Sequence, residues 1–405
     1  MQRSTASTPA SAPPSTRGPS AQLPRSVLVL AASLLVVTTS EFQVAAMLSS
    51  MASDFAVQVS TLGMLVTVYS LGSAVGGPLL ARLLHGRGPR AALVGVLLAY
   101  AVTEAAAGLV TDPALLYALR TVTGALSGAT FGLTLTTGMR ASPAPLRSRA
   151  SAVILAGLML GTLLGLPLSH ALAEIATWRI SFLVLAGAAV ATAVAVLATV
   201  PALPAPGADE DDAPLTEDRG SPLAPLRSRA LWLRYLSSFL SIGGAFAAFA
   251  FLEPILARAG ITGGGATAMM LGFGAAALVV NLAGGRVADD RRARRWLLAG
   301  LGLQLAALAA ILAMPAAPAA VAVATLGLGA SGMALNPLLV TRVTAIAPPD
   351  VLVNTVHTSA ITLGVAAATA LGSVGFGAVG DPGGAVAVGA ALTVAAILAT
   401  TVARK

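Results

Sequence analysis

Twelve apolar stretches, each long enough to cross a bilayer, dominate this chain of 405 residues. A spanning helix needs about 20 mainly apolar residues. Measured against that length, the first half holds candidates near 26–48, 60–84, 91–110, 113–139, 148–173 and 179–200. The second half holds 231–257, 265–286, 295–313, 318–341, 352–379 and 384–402. Only 10% of the residues are charged, whereas soluble chains carry about 25%. So few charges cannot clothe globular domains of this size. The backbone of each stretch must satisfy its own polar groups in hydrocarbon, which for lengths near 20 residues means a helix. The expected fold is an all-α membrane protein with twelve transmembrane helices in two halves of six.

Residues 1–25 are rich in Ser, Pro, Ala and Thr, too polar to fold alone, and are expected to be disordered. They lack the short apolar core and cleavage site of a secretory signal. Residues 201–230 are Pro-rich and charged, a linker between a six-helix bundle at 26–200 and another at 231–405. With the N-terminus placed in the cytoplasm, 21 of the 24 basic residues fall on the cytoplasmic side. Arg179 and Arg258 fall outside, and Arg120 falls within a span. Retention of Arg and Lys in cytoplasmic loops sets orientation, so both termini are expected in the cytoplasm. The net charge of +8 then reports sidedness. Basic residues scattered over short loops predict no nucleic-acid partner.

The chain has no cysteine, which removes disulfides, thiolate metal sites and cysteine nucleophiles together. His85, His170 and His357 lie far apart and share no metal-ligand spacing. No catalytic triad, metal cluster or phosphate loop stands out, so neither an enzyme nor a bound cofactor is expected. Abundant Ala and Gly, with Lys405 the only lysine, fit a GC-rich bacterial genome and hence a bacterial inner membrane.

The halves repeat weakly. Gly77-Pro-Leu-Leu-Ala-Arg ends the second span, and Gly285-Arg-Val-Ala-Asp-Asp-Arg-Arg-Ala-Arg-Arg ends the eighth, 208 residues later. Matching halves around a central cavity are an arrangement used by many secondary transporters. Ala-Pro-Leu-Arg-Ser-Arg-Ala occurs at 144–150 and again at 224–230. There Pro starts a helix and Arg anchors it at the membrane surface.

The few charges inside the spans carry the most information. A guanidinium at a helix centre costs roughly 2.5–3.5 kcal/mol on insertion scales, so Arg120 should face the interior and meet an acid or a carbonyl. Glu104 lies 14 residues beyond Arg90, roughly 21 Å up an outward-running helix. Arg120 lies roughly 10 Å below the outer end of the next helix. The two therefore share a level on consecutive antiparallel helices, and Glu41 in the first span reaches a similar height. Protonation of either carboxylate would release Arg120, which makes Glu41, Glu104 and Arg120 the candidate proton-coupling set. Glu253, beside Pro254, is expected at the interface. Asp54, Asp112, Glu174 and Asp381 read as solvated loop charges, and His357 as a packing residue.

These residues and their surroundings resemble the major facilitator superfamily, specifically its twelve-span drug:proton antiporters, over about 26–402. Thr39-Ser40-Glu41-Phe42 followed by Met51-Ala-Ser-Asp54-Phe is similar to the opening signature of that family. The loops after spans two and eight resemble its basic loop motif. The motif's usual acid is missing near Ala81, Arg82 and His85 and present as Asp289. Arg120-x3-Gly124-x3-Gly128 resembles its membrane-embedded arginine motif. Gly157-x3-Gly161-x3-Gly165-Leu-Pro167 resembles its antiporter motif, with Ser169 where a glycine is usual. Trp178-Arg179-x-x-Phe182 matches a further signature.

Glycines four residues apart share one helix stripe and let backbones approach closely, and Pro167 should bend span five. The resemblance implies that this region limits leakage of protons or substrate. Asp289 with Arg291, Arg292, Arg294 and Arg295 is expected to form a charge network closing the cytoplasmic side. Tyr69, Phe131, Phe246, Asn281 and Asn336 are candidates for the substrate wall. The expected function is proton-driven efflux of a small, mostly apolar molecule by a protein acting as a monomer, its partners being substrate, protons and the lipid bilayer. Export or uptake of a sugar or amino acid is one alternative. A non-transporting sensor or assembly subunit is another.

Overall fold

The computed structural model describes residues 23–84, 86–203, 225–287, 289–347 and 351–402. The polar N-terminal segment, most of the expected linker, His85 and the Arg404–Lys405 tail lie outside the described residues. Among the described residues fifteen α-helices follow one another, with short 3-10 turns between some of them and no strand. The first group comprises α1 (Arg25–Gln43), α2 (Leu48–Phe55), α3 (Val59–Leu83), α4 (Pro89–Leu109), α5 (Pro113–Ala141), α6 (Arg147–Ile175) and α7 (Trp178–Thr199). The second comprises α8 (Arg229–Phe249), α9 (Leu252–Arg258), α10 (Gly263–Gly284), α11 (Asp290–Ala313), α12 (Pro318–Gly329), α13 (Asn336–Thr344), α14 (Val351–Val379) and α15 (Gly383–Val402).

Helix starts follow local chemistry. Asp112 and Asp289 accept backbone N–H bonds from Ala114 and Arg292, and Ser228 accepts one from Leu231. Such caps satisfy donors that a first turn leaves orphaned. Pro89, Pro113 and Pro318 occupy first-turn positions, where proline's missing N–H costs nothing.

Among the described residues ten helical segments are long and apolar enough to cross a membrane, and the bent pair α8 and α9, taken as one span, makes an eleventh. Helix α5, 29 residues long, is not among them. Its threonines and Arg120 lower its mean hydropathy. Two spans differ from the continuous helices expected at 231–257 and 318–341. The first turns by 48° between α8 and α9. The second breaks between α12 and α13, where Gly332 takes φ +58° and its N–H donates to Gln304 Oε1 at 3.1 Å. Glycine is the residue that adopts this backbone without strain.

Within the first group α1 packs on α6, α3 on α5, and α4 on α7. Within the second, α8 packs on both α14 and α15. The groups meet through α3 with α14 and α6 with α10. The motif glycines sit at these seams. A Cβ on Gly157 would lie 2.0 Å from the Ala31 carbonyl of α1, and Gly161 and Gly165 press on Thr38 and Thr39. A Cβ on Gly124 would lie 2.1 Å from the Tyr69 carbonyl of α3, and Gly128 faces Ser73. Pro167 lies inside α6 on its buried side. Side chains would force these backbones apart, so the glycine stripes are what permits the close packing.

The hydrogen bonds and ring contacts that join the two groups cluster near one end of the bundle. These are Ser49 with Glu253, Thr67 with Thr369, His170 with Thr267, and Phe42 with Phe246 and Phe249. The arginine-rich turns after α3, α5 and α10 lie at the other end, called here the basic end. The joined end is the opposite end.

Candidate functional site

Arg120 and Glu104 are both fully buried, with Nη1 and Oε1 3.6 Å apart on the adjacent helices α5 and α4. Ser40 of α1 stands between them. Its hydroxyl donates to Glu104 Oε1 at 2.5 Å, and it accepts from Arg120 Nη1 at 3.0 Å. Arg120 Nη2 donates to the Ser40 carbonyl at 3.1 Å. Gln43, one turn on, gives its amide to Ser40 Oγ and to Glu104 Oε2 at 3.1 and 3.0 Å. Its own carbonyl accepts from Ser181 of α7 at 3.1 Å. Tyr69 of α3 covers the guanidinium, whose carbon lies 4.3 Å from the ring centroid. Five helices thus converge on one buried ion pair. Buried charge is tolerated when it is paired and hydrogen-bonded.

The structure brings Glu104 and Arg120 together and leaves Glu41 apart from the pair. Glu41 is only partly buried, and among the described residues it has no hydrogen bond or ion pair. Arg120 is the cation whose field reaches it. Tyr69, expected on the substrate wall, instead stacks on Arg120, is 2% exposed, and donates its hydroxyl to the Val37 carbonyl. Ser40, Gln43 and Ser181 were not expected in the site. Ser40 and Gln43 flank Glu41 within an otherwise apolar span, which is the signal that could have found them.

The second group carries a neutral counterpart. Gln304, fully buried about fifteen residues into α11, gives its amide to Thr393 Oγ1 at 2.7 Å and to the Ser241 carbonyl at 3.3 Å. Glu104 sits at the same depth in α4. Where the first group holds a charged pair, the second holds an amide against the break that precedes α13.

Phe246 lies between the groups in a ribbon of rings with Phe42, Phe249 and Phe273. Those rings, Thr162, and Ser331 to Met333 at the helix break enclose about 20 Å³ of free space. That is room for about one water. Asn336 opens α13 with its Oδ1 buried and unpartnered. Phe131 is half-buried against the first group's core, and Asn281 is half-buried on α10.

The loop acids are more engaged than expected. Asp54 of α2 receives Arg179 Nη2 at 2.7 Å and Trp178 Nε1 at 3.1 Å, joining two of the sequence motifs. Asp381 pairs with Arg258 at the end of α9. Asp112 is a helix cap. Glu253 of α9 reaches across the groups to the backbone N–H of Ser49, in the first turn of α2, at 3.0 Å. At the basic end the expected network on Asp289 is corrected by one residue. Asp289 caps α11, whereas Asp290 binds Arg234 at 2.5 Å and lies 3.6 Å from Arg342. One residue along a helix start turns a side chain by about 100°, so the cap and the ion-pair position cannot be the same residue.

The family profile described as Major Facilitator Superfamily matches residues 29–373. A chloramphenicol resistance protein of Streptomyces lividans is 31% identical over 349 residues, 85% of this chain and 87% of that one. Inner membrane transport protein YdhP of Escherichia coli (strain K12) is 28% identical over 348 residues, again 85% and 87% of the two chains. Among solved structures, a bacterial homolog of the human lysosomal transporter Spinster, inward-facing and unoccupied, aligns with TM-score 0.69 at 16% identity over 94% of this chain and 95% of that one. An auto-inhibited POT family peptide transporter aligns at 0.67 and 14% identity over 94% and 96%. At these identities the structural likeness is one of fold.

Proposed function

The chain belongs to the major facilitator superfamily, and from that premise we propose that it expels a small, mostly apolar molecule across the inner membrane in exchange for protons. The observation that carries the reading is the charge count at this level of the first group. Glu104 and Glu41 supply two carboxylates against the single guanidinium of Arg120. Uncompensated charge in the membrane interior is costly, so one bound proton makes the site neutral. Glu41, without a partner and partly open, is the carboxylate to which a proton can come and go. Glu104, held by three groups, anchors the cation. The neutral Gln304 network favours coupling in the first group.

The chloramphenicol-resistance relative and the phenyl ribbon Phe42, Phe246, Phe249 and Phe273 favour an apolar, drug-like cargo. Phe131, Phe246, Asn281 and Asn336 remain candidates for the path it takes, while Tyr69 acts through Arg120. In cells expressing the chain, accumulated chloramphenicol is expected to fall severalfold, and an uncoupler should restore it. Unchanged accumulation across a panel of apolar antibiotics, or efflux indifferent to the uncoupler, would count against the reading.

If both termini are cytoplasmic, the basic end faces the cytoplasm, and the contacts that join the groups lie toward the outer end. Alternating access then requires the opposite end to part, with bodies at 26–200 and 231–405 rocking as units. Asp54 with Arg179 ties α2 to the first body, and Arg258 with Asp381 ties α9 to the second. Glu253 joins these two short helices by capping an N–H that α2's own N-cap residue, Met47, leaves without a side-chain bond. Replacing Glu253 by Ala should therefore shift the balance toward the outward-open state. The chain has no native cysteine, so spin labels at Ser50→Cys and Ala257→Cys report the separation directly. A larger long-distance population is expected in the variant, and an unchanged distribution would reject the latch.

A further inference from the structure

We propose that the outward-facing stripe at the start of α11 binds the headgroup of an anionic phospholipid. Arg291, Arg292 and Arg295 are exposed on one face of the first two turns of α11. Among the described residues none of their guanidinium groups has a hydrogen-bond or ion-pair partner. The adjacent acids are committed elsewhere, Asp289 to the helix cap and Asp290 to Arg234 and Arg342. Arg294 turns away from this face and donates to the Thr400 and Thr401 carbonyls of α15.

This placement is unfavourable for the protein alone. Arg295 is three residues from Arg292 and four from Arg291, spacings at which like charges repel. Arg291 and Arg292 sit in the first turn of the helix, where the macrodipole disfavours cations and favours anions. Anchoring at the cytoplasmic surface would be served equally by arginines in the preceding turn. An anion held over the stripe offsets both penalties.

The rest of the stripe identifies the anion's carrier. Trp296 is 55% exposed and Leu303 is 44% exposed. They lie seven residues apart, two turns down the same face. The surface therefore passes from guanidinium through indole to aliphatic, the order of a membrane interface. A phosphate ester carried on acyl chains matches every level, and a free phosphate matches only the first.

The test uses the full chain in nanodiscs, with Trp232→Phe to remove the other exposed indole. Trp178, 3% exposed at the opposite end, serves as the reference. Trp296 emission is quenched in phosphatidylcholine discs containing either brominated phosphatidylglycerol or brominated phosphatidylcholine at equal mole fraction. Phosphatidylglycerol should occupy the site at least threefold above its bulk fraction. The variant Arg291→Gln/Arg292→Gln/Arg295→Gln should lose that preference while phosphatidylcholine still quenches Trp296, which shows that the helix remains seated in lipid. Equal quenching by the two lipids in the parent, or a preference that survives the triple substitution, overturns the proposal. Loss of the preference on adding millimolar inorganic phosphate would overturn the lipid as the source of the anion.

Discussion

Replacing Glu104 by Ala is expected to destabilise the protein by about 3–5 kcal/mol, the cost of leaving a buried charge without its partner. Arg120 and Glu104 are both fully buried. Ser40 and Gln43 would also lose the acceptor that each now uses. Glu104→Gln keeps an acceptor at that position and should cost less. The double variant Glu104→Leu/Arg120→Met should recover much of the loss, because an apolar pair of similar volume often replaces a buried ion pair without penalty. Thermal unfolding in one detergent orders the three variants. Stability of Glu104→Ala within about 1 kcal/mol of the parent would mean that the pair is not held as described.

Glu41→Gln should behave in the opposite way. The side chain is partly exposed and makes no hydrogen bond among the described residues, so stability should change by less than about 1 kcal/mol. Transport should suffer, because the amide cannot carry a proton. Efflux driven by an imposed pH gradient is expected to fall at least tenfold, while substrate exchange at equal pH on both sides persists. Retention of gradient-driven efflux would move the proton site elsewhere, and loss of both activities would make Glu41 a substrate contact.

Depth along helices was legible in the sequence, and side-chain direction was not. The twelve apolar stretches fix the spans because hydrocarbon demands helices of that length. Counting rises per residue placed Glu104 and Arg120 on one level, and the structure holds them 3.6 Å apart. Glu41 occupies a comparable level, but rotation about α1 turns it away from the pair while Ser40, its neighbour, faces it. The same rotational blindness assigned the basic-end network to Asp289 instead of Asp290. Tyr69 was recognised as an aromatic inside the bundle, though its partner, the Arg120 face, is a tertiary contact with no local sign.

The two helix breaks escaped for a different reason. Residues 318–341 are mostly apolar, and the local breakers Ser331-Gly332 and Asn336-Pro337 mark where the helix gives way before α13 without showing what holds it open. The interruption is held by Gln304, a residue about thirty positions away that captures the Gly332 N–H. Likewise Asp54 and Asp381 lie in stretches that read as solvated loops. Their arginines come from α7 and α9 and meet them only in the folded chain.

The central claim, that Glu41 and the Glu104–Arg120 pair couple protons to substrate, is tested most directly in inverted vesicles acidified inside and monitored with a pH dye. Adding a transported compound should release protons from vesicles carrying the parent chain, and the release should be absent with Glu41→Gln. Substrate flux without proton release in the parent, or release that survives in the variant, would contradict the account.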